Sequence, residues 1–307
     1  MILRIGTRGS KLALAQSEWV RDQIVSRNPD TQVELVQIKT KGDKILDSPL
    51  SRIGGKGLFV KEIEEALLKK EVDLAVHSIK DVPAELPEGL CITVYPKRED
   101  PRDAFVSLRY QHPSKLPQGA IVGTGSLRRS AQLLALRSDL RIVAMRGNVD
   151  TRLRRLESED LHGLILASAG LNRLGLSSRI GSLLSPDELL PAIGQGALGL
   201  EMREDDADLY GMLSFLNDRT TEVTIRAERA FLKKLEGGCQ VPIAGYAQLD
   251  GNALHLQGMV AELDGSKIIK DKMIGAQNYP EEIGIKLAER VLSSGADKIL
   301  ARVYGRE

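Results

Sequence analysis

Two features of this chain could carry chemistry: a thiol set among glycines, and arginines that recur at one kind of structural junction. Cys239 stands in Glu236-Gly237-Gly238-Cys239-Gln240-Val241-Pro242, after an amphipathic run and before a proline. Paired glycines free the backbone from Cβ constraints, so a thiol here can be displayed on a turn. Displayed, it is a nucleophile or a covalent attachment point; packed, it is an inert small hydrophobe. The other cysteine, Cys91, lies in Leu90-Cys91-Ile92-Thr93-Val94-Tyr95, which reads as a buried strand.

The arginines gather where strands give way to helices. Arg8-Gly9-Ser10 precedes the first helix, Gly123-Thr124-Gly125-Ser126-Leu127-Arg128-Arg129 opens another, and Arg146-Gly147-Asn148-Val149-Asp150-Thr151-Arg152 opens a third. A helix N-terminus offers free amide donors and partial positive charge, and a capping hydroxyl or amide plus a forked guanidinium makes an anion site. Three such sites imply a ligand with several negative groups. Residues 121–180 hold ten arginines and no lysine, a bias toward bidentate carboxylate or phosphate recognition. Arg137, Arg154, Arg155 and Arg179 read as solvated surface charges, the ordinary state of any single arginine.

His77-Ser78-Ile79-Lys80-Asp81 follows the strand Asp73–Val76. A carboxylate at the C-terminal end of a strand occupies the region where α/β folds place catalysis. Amid this much arginine Asp81 stays ionised, able to stabilise a developing cation or move a proton. Taken alone, Lys80-Asp81 is a surface ion pair and His77 a structural hydrogen-bonding residue. Gly54-Gly55-Lys56-Gly57 precedes a helix but lacks the Ser or Thr and the earlier spacing of a P-loop. It reads as a flexible, basic lid around residues 43–57, and nucleotide binding is not expected.

These residues need a scaffold, and βα alternation supplies it twice. Strand Ile2–Ile5, a helix over Lys11–Ser26 with Leu12, Ala15, Trp19 and Val20 on one face, strand Val33–Ile38, helix Leu58–Lys69 and strand Leu74–Val76 form one series. Ala120–Val122, Leu127–Leu136, Ile142–Ala144, Asn148–Leu156 and Leu164–Leu166 form the second. Proline-bounded joints at 96–103 and 190–197, and a returning strand Leu198–Met202, predict a discontinuous first lobe and a hinged cleft. The last third alternates strands around Asp250-Gly251 and Asp264-Gly265, an antiparallel meander, and a helix over Glu281–Ser293, stopped by Gly295, closes the chain. The fold expected is α/β: two doubly wound lobes, 1–97 with 198–216 and 103–190, plus a small α+β domain with an antiparallel sheet over 219–307.

Composition excludes several classes. With 43 basic against 42 acidic residues no global field draws the chain to nucleic acid or membrane, and 4% aromatics leave no base-stacking platform. Four scattered histidines (His77, His112, His162, His255) give no metal-ligand spacing, and two cysteines make no disulfide framework. Met1–Ile5 is too short an apolar run for an export signal, so a cytoplasmic setting is expected.

Eight segments taken in order resemble the porphobilinogen deaminase (hydroxymethylbilane synthase) family over essentially the whole chain. They are Thr7–Ala13, Gly54–Glu62, His77–Pro83, Arg98–Phe105, Gly125–Arg129, Arg146–Asn148, Gly194–Gly196 and Glu236–Pro242. Ile79 stands where methionine is common in the family, a mild departure. The resemblance implies two lobes like those of periplasmic solute-binding proteins and a third domain carrying the cofactor. It implies a dipyrromethane held on Cys239 through a thioether and four porphobilinogens added head to tail with loss of ammonia. It implies Asp81 as the catalytic carboxylate. Arg8, Arg128, Arg129, Arg146, Arg152 and Arg173 are the expected clamps on acetate and propionate groups, assisted by Ser10, Lys56, Ser78, Lys80 and Ser126. A monomer is expected. The competing reading, a solute-binding protein for an anionic ligand, accounts for the hinged lobes but gives a displayed thiol nothing to do.

Overall fold

The computed structural model describes residues 2–44, 57–237 and 241–305. In chain order the elements are β1 (Ile2–Thr7), α1 (Lys11–Arg27), β2 (Gln32–Gln37), α2 (Lys41–Lys44), α3 (Lys61–Leu68), β3 (Leu74–Ser78) and β4 (Leu90–Val94). Next come β5 (Asp103–Val106), β6 (Ile121–Thr124), α4 (Leu127–Leu136), β7 (Arg141–Ala144), α5 (Val149–Ser158), β8 (Gly163–Ala167), α6 (Ser168–Arg173) and β9 (Ser182–Leu184). The chain continues through β10 (Leu198–Arg203), α7 (Ala207–Leu213), α8 (Arg219–Lys234), β11 (Ile243–Asp250), β12 (Ala253–Ala261), β13 (Ile268–Ala276), α9 (Pro280–Val291) and α10 (Asp297–Tyr304).

Two five-stranded sheets share one pattern. The first runs β2-β1-β3-β10-β4 and the second β7-β6-β8-β5-β9. In each, three neighbouring strands are parallel, and one antiparallel strand arrives from elsewhere in the chain: β10 between β3 and β4, β5 between β8 and β9. The sheets are therefore mixed, not wholly parallel. β10 reaches the first sheet only after the chain has completed the second, so two connections, around 95–102 and 185–197, run side by side between them.

Helix α1 departs from its sequence reading. The buried side is Gln16, Ser17, Val20 and Ile24, while Trp19 is exposed. The i, i+4 spacing of 16, 20 and 24 sets the packed stripe, and Trp19 falls a quarter-turn away from it.

The third sheet, β11-β12-β13, is an antiparallel meander. Helices α8 and α9 cover it around Phe231, Leu254, Leu256, Leu287 and Val291, all buried. Along α9 the buried positions 280, 283, 284, 287, 288 and 291 keep the helical period. Gly295, at φ 102°, breaks the helix as read from the sequence. The chain does not close there: α10 follows and returns Ile299 and Leu300 to the same core.

One buried cluster ties the connections to the third sheet. Glu228 of α8, fully buried, accepts from Arg98 Nη1 (2.6 Å) and Nη2 (3.2 Å), from the Gly194 amide (2.7 Å) and from the Ala247 amide (2.8 Å). Arg98 also donates Nε to the Gln195 carbonyl at 2.9 Å. Every acceptor site on the carboxylate is used, the condition under which a buried ion pair is tolerable. Glu228→Ala strands the guanidinium and two amides, and is expected to cost about 3–5 kcal/mol; the urea unfolding midpoint measures it.

Candidate active site

Strand β3 ends at Ser78 and runs into a single 3₁₀ turn, Ile79–Asp81. The turn presents Asp81, exposed, to a cavity of about 60 Å³ lined also by Arg8, Ser10, Gln16, Phe59, His77 and Ser78. Arg8, the first residue after β1, lies half-buried with its guanidinium 4.2 Å from the centroid of the Phe59 ring. Ser10 caps α1, its Oγ accepting from the Ala13 amide at 3.3 Å. Ser78 Oγ accepts from Gln16 Nε2 at 3.0 Å. Asp81 itself takes no hydrogen bond or ion pair from the described residues, so its carboxylate is open to a ligand.

Beneath the cavity His77 Nε2 lies 2.7 Å from Glu201 Oε2, both buried, which accords with a structural imidazole. Burial, with Glu201 close by, pushes the Glu64 carboxyl up to about 7. This acidic core sits under the first lobe's helix α3 and is separate from the cationic face opposite.

That face belongs to the second lobe. Burial draws the Arg152 guanidinium down to about 10, with Arg129 and Arg146 adding to the effect and Asp81 opposing it. The influence of Asp81 brings the strand-end carboxylate and the second-lobe arginines into one electrostatic site. Lys80 joins it: burial lowers its ammonium pKa, Asp81 and Asp103 support the charge, and Arg129 and Arg128 oppose it. Arg152 Nε donates to the Gly147 carbonyl at 2.9 Å. Arg146 is half-buried, its pKa lowered by burial. Arg173, at the end of α6, donates Nη2 to the Gly196 carbonyl at 2.7 Å, and burial brings it too to about 10. Among the described residues neither Arg152 nor Arg173 forms an ion pair.

Arg128 and Arg129, expected as clamps on ligand carboxylates, already have a carboxylate partner inside the protein. Both are buried and turned onto Asp103, itself fully buried at the start of β5. Arg128 Nη1 lies 2.7 Å from Asp103 Oδ2, Arg129 Nη2 lies 2.7 Å from Oδ1, and Gln195 is a third donor residue, its Nε2 at 2.9 Å. Arg128 also donates to the Leu190 carbonyl and Arg129 to that of Ile165. The cause is Asp103: an ionised carboxylate removed from water needs partners, and the first turn of α4 supplies them. The two guanidiniums hold its carboxyl far below the usual range. Two cations against one anion still leave a net positive charge facing Lys80 and Arg152. Ser126, at the N-cap of α4, makes no side-chain cap bond.

Cys239 and Lys56, with most of the expected lid, lie outside the described residues. What frames Cys239 is described. Helix α8 ends in a Schellman turn, with Glu236 N donating to Lys233 O and Gly237 N to Leu232 O. The left-handed position, normally glycine, is Glu236 at φ 53°, which costs a residue with a Cβ about 1 kcal/mol. Tyr304 of α10 donates its hydroxyl to the Glu236 carbonyl at 3.0 Å. On the far side Val241 and Ile243 are buried in the third domain's core.

Asp103, Gln195, Gln16 and Phe59 belong to the site's build but were given no role from sequence. Asp103, Gln195 and Phe59 lie within the family-like segments 98–105, 194–196 and 54–62; Gln16 lies in none of them. Of the four arginines read as surface charges, three pair with neighbouring carboxylates, Arg137 with Asp139, Arg155 with Glu159 and Arg179 with Glu157, and Arg154 is exposed.

Comparison with known proteins converges on one family. The model for the porphobilinogen deaminase dipyromethane cofactor binding domain matches residues 3–211, and that for the porphobilinogen deaminase C-terminal domain matches residues 222–293. Porphobilinogen deaminase of Geobacter metallireducens is 54% identical over 305 residues, covering 99% of this chain and 96% of its own. Its namesake in Syntrophotalea carbinolica is 56% identical over 299 residues, covering 97% and 95%. Among solved structures, the periplasmic aliphatic sulphonate binding protein of Escherichia coli aligns at a TM-score of 0.41 and 14% identity, covering 76% of this chain and 70% of that one. So slight a likeness carries no weight here.

Proposed function

The chain belongs to the porphobilinogen deaminase family, and from that premise we propose how its own residues divide the reaction. It is a hydroxymethylbilane synthase of tetrapyrrole biosynthesis: four porphobilinogens are joined head to tail with loss of ammonia, and hydrolysis frees the linear product. When attached, the dipyrromethane cofactor supplies the primer to which substrate units are added.

The residues present fit that group. Each pyrrole ring brings an acetate and a propionate, and among the described residues the half-buried Arg152 and Arg173 form no ion pair with a carboxylate. Arg152 and Arg173, drawn to about 10, are under-compensated charges that ligand carboxylates would restore. We assign carboxylate binding to Arg8, Arg146, Arg152 and Arg173, with Ser10, Ser78, Lys80, Ser126 and Lys56 assisting. Arg128 and Arg129 act on the same groups through the surplus charge of their cluster with Asp103. Asp81 is the catalytic carboxylate. Loss of ammonia leaves a cationic azafulvene, and the anion that balances it must stand free of the surrounding guanidiniums. Its open placement on the strand-end turn, facing a cavity it shares with Arg8 and Ser10, is the observation that carries this reading. Cys239 is the attachment point, so the family's cofactor-binding lobes would supply the charges and the third domain the sulfur.

Sheet membership supports a division into 1–97 with 198–216, 103–190 and 219–307. We also place the enzyme in the cytoplasm as a monomer, acting on porphobilinogen with no nucleic-acid or membrane partner; its balanced charge supports the first exclusion. Among the described residues no helix is long and apolar enough to cross a membrane.

The test is chemical. Purified protein in acidic p-dimethylaminobenzaldehyde is expected to give a pyrrole colour, and incubation with porphobilinogen to release four ammonia per bilane formed. A colourless protein that binds porphobilinogen without releasing ammonia would be a solute-binding protein instead.

A further inference from the structure

The loop that carries Asp81 is gripped at two points by one helix of the third domain. Ile79, fully buried, shares a small apolar cluster with Tyr95, Ala197 and Ile225, the last on α8. Its amide donates to the Ala197 carbonyl at 3.0 Å. The approach is close enough to exclude side chains opposite: a Cβ at Gly194, whose φ is 71°, would lie 2.3 Å from Ile79 Cγ2. Past Asp81 the second grip is polar. Arg229 donates Nη2 to the carbonyls of Pro83 at 2.8 Å and Ala84 at 3.2 Å. Ile225 and Arg229 are four residues apart, hence on one face of α8.

Arg229 is an odd choice for packing alone. Among the described residues it forms no ion pair; two neutral carbonyls are its hydrogen-bond partners. Burial lowers its pKa, and Glu201, the carboxylate that favours the cation, acts without bonding to it. An apolar side chain of similar volume would fill this space without desolvating a charge. What the guanidinium adds is a fixed direction for two consecutive carbonyls, and so for the chain leaving Asp81. Arg229 lies six residues before Leu235, the C-cap of α8, about 9 Å along the axis, and Cys239 follows the cap in sequence.

We propose that Arg229 is a positioning residue for Asp81: through Pro83 and Ala84 it locks the chain leaving the Asp81 turn to helix α8, and so fixes where the carboxylate stands. The proposal rests on the catalytic reading of Asp81, and its test separates the two.

Arg229→Met keeps the volume and removes the donors; Arg229→Lys keeps the charge and one point donor. Both are made in the parent and in Asp81→Asn, with kcat, KM for porphobilinogen, intact mass and urea midpoint measured for each. In the parent, Arg229→Met is expected to lower kcat about tenfold, a misplacement effect, with KM within twofold and the cofactor mass retained. Arg229→Lys is expected to fall between, recovering part of the rate. On Asp81→Asn, Arg229→Met is expected to cost less than twofold more, because a residue acting through Asp81 has nothing left to position. A folded, loaded Arg229→Met enzyme at parental kcat would overturn the proposal, as would a full tenfold loss repeated on Asp81→Asn. If the methionine variant does not fold, the lysine variant decides: a parental kcat there overturns it. An active Asp81→Asn enzyme sinks the catalytic reading of Asp81 instead, whatever Arg229 does.

Discussion

Asp81→Asn is expected to lower turnover by about 10²–10³-fold, the range for removing one preorganised electrostatic contact from a transition state, while leaving the cofactor mass in place. The substitution is nearly isosteric and removes only the charge. Asp81 takes no hydrogen bond from the described residues, so no internal bond is lost with it and the turn Ile79–Asp81 stays pinned by Ile79 and Ala197. The reacting centre is another matter. The arginines assigned here to acetate and propionate groups make a positive field, and that field would oppose a cationic azafulvene. One carboxylate that is not ion-paired with those arginines would counter it where charge develops. Asparagine offers a dipole in place of an anion, so the barrier rises while carboxylate binding by Arg8, Arg146 and Arg152 persists. Loss in kcat with KM little changed is the expected pattern, read from porphobilinogen consumption beside an intact-mass measurement. Parental turnover in a loaded Asp81→Asn enzyme would remove Asp81 from the mechanism.

The position of Asp81 was readable because strand-to-helix junctions are local: an apolar run, then polar residues, and β3 ends at Ser78 with the carboxylate one short turn beyond. The same locality made the βα alternation and the Asp250-Gly251 hairpin visible. What was hidden depends on distant partners. Arg128 and Arg129 carry the sequence pattern of an open anion site, yet Asp103, some 25 residues earlier, claims both once β5 slots in antiparallel beside β8. No periodicity announces that insertion. Arg229 is hidden more deeply, since its partners are backbone carbonyls 145 and 146 residues away, which any residue type can offer. Trp19 misled for a related reason: hydrophobicity proposed it for the core, but the stripe of α1 that meets the sheet runs through Gln16, Val20 and Ile24.

Cys239→Ser is expected to abolish turnover and remove a mass equal to two pyrrole units, a larger effect than any loss of a cleft charge. The two variants fail differently. Without Asp81 the chemistry slows; without the sulfur there is nothing to hold the growing chain. Tethering replaces repeated capture from solution with a high effective concentration, and well-oriented intramolecular reactions reach about 10⁵–10⁸ M. A lone protein chain can therefore elongate an intermediate that would otherwise diffuse away between additions. Serine preserves size and polarity, but its hydroxyl is far less nucleophilic than a thiolate at neutral pH, so attachment should fail at assembly. The surroundings suit a fixed anchor: Glu236 is held in the left-handed region and braced by Tyr304, and Val241 is fastened into the core on the other side. Cys91, half-buried on β4 with burial raising its pKa, is a poor substitute nucleophile. Denaturing mass spectrometry of parent and Cys239→Ser, with turnover on the same samples, decides the matter. Active parent at the bare polypeptide mass, or a serine variant that keeps the excess, would show that the thiol is not the anchor.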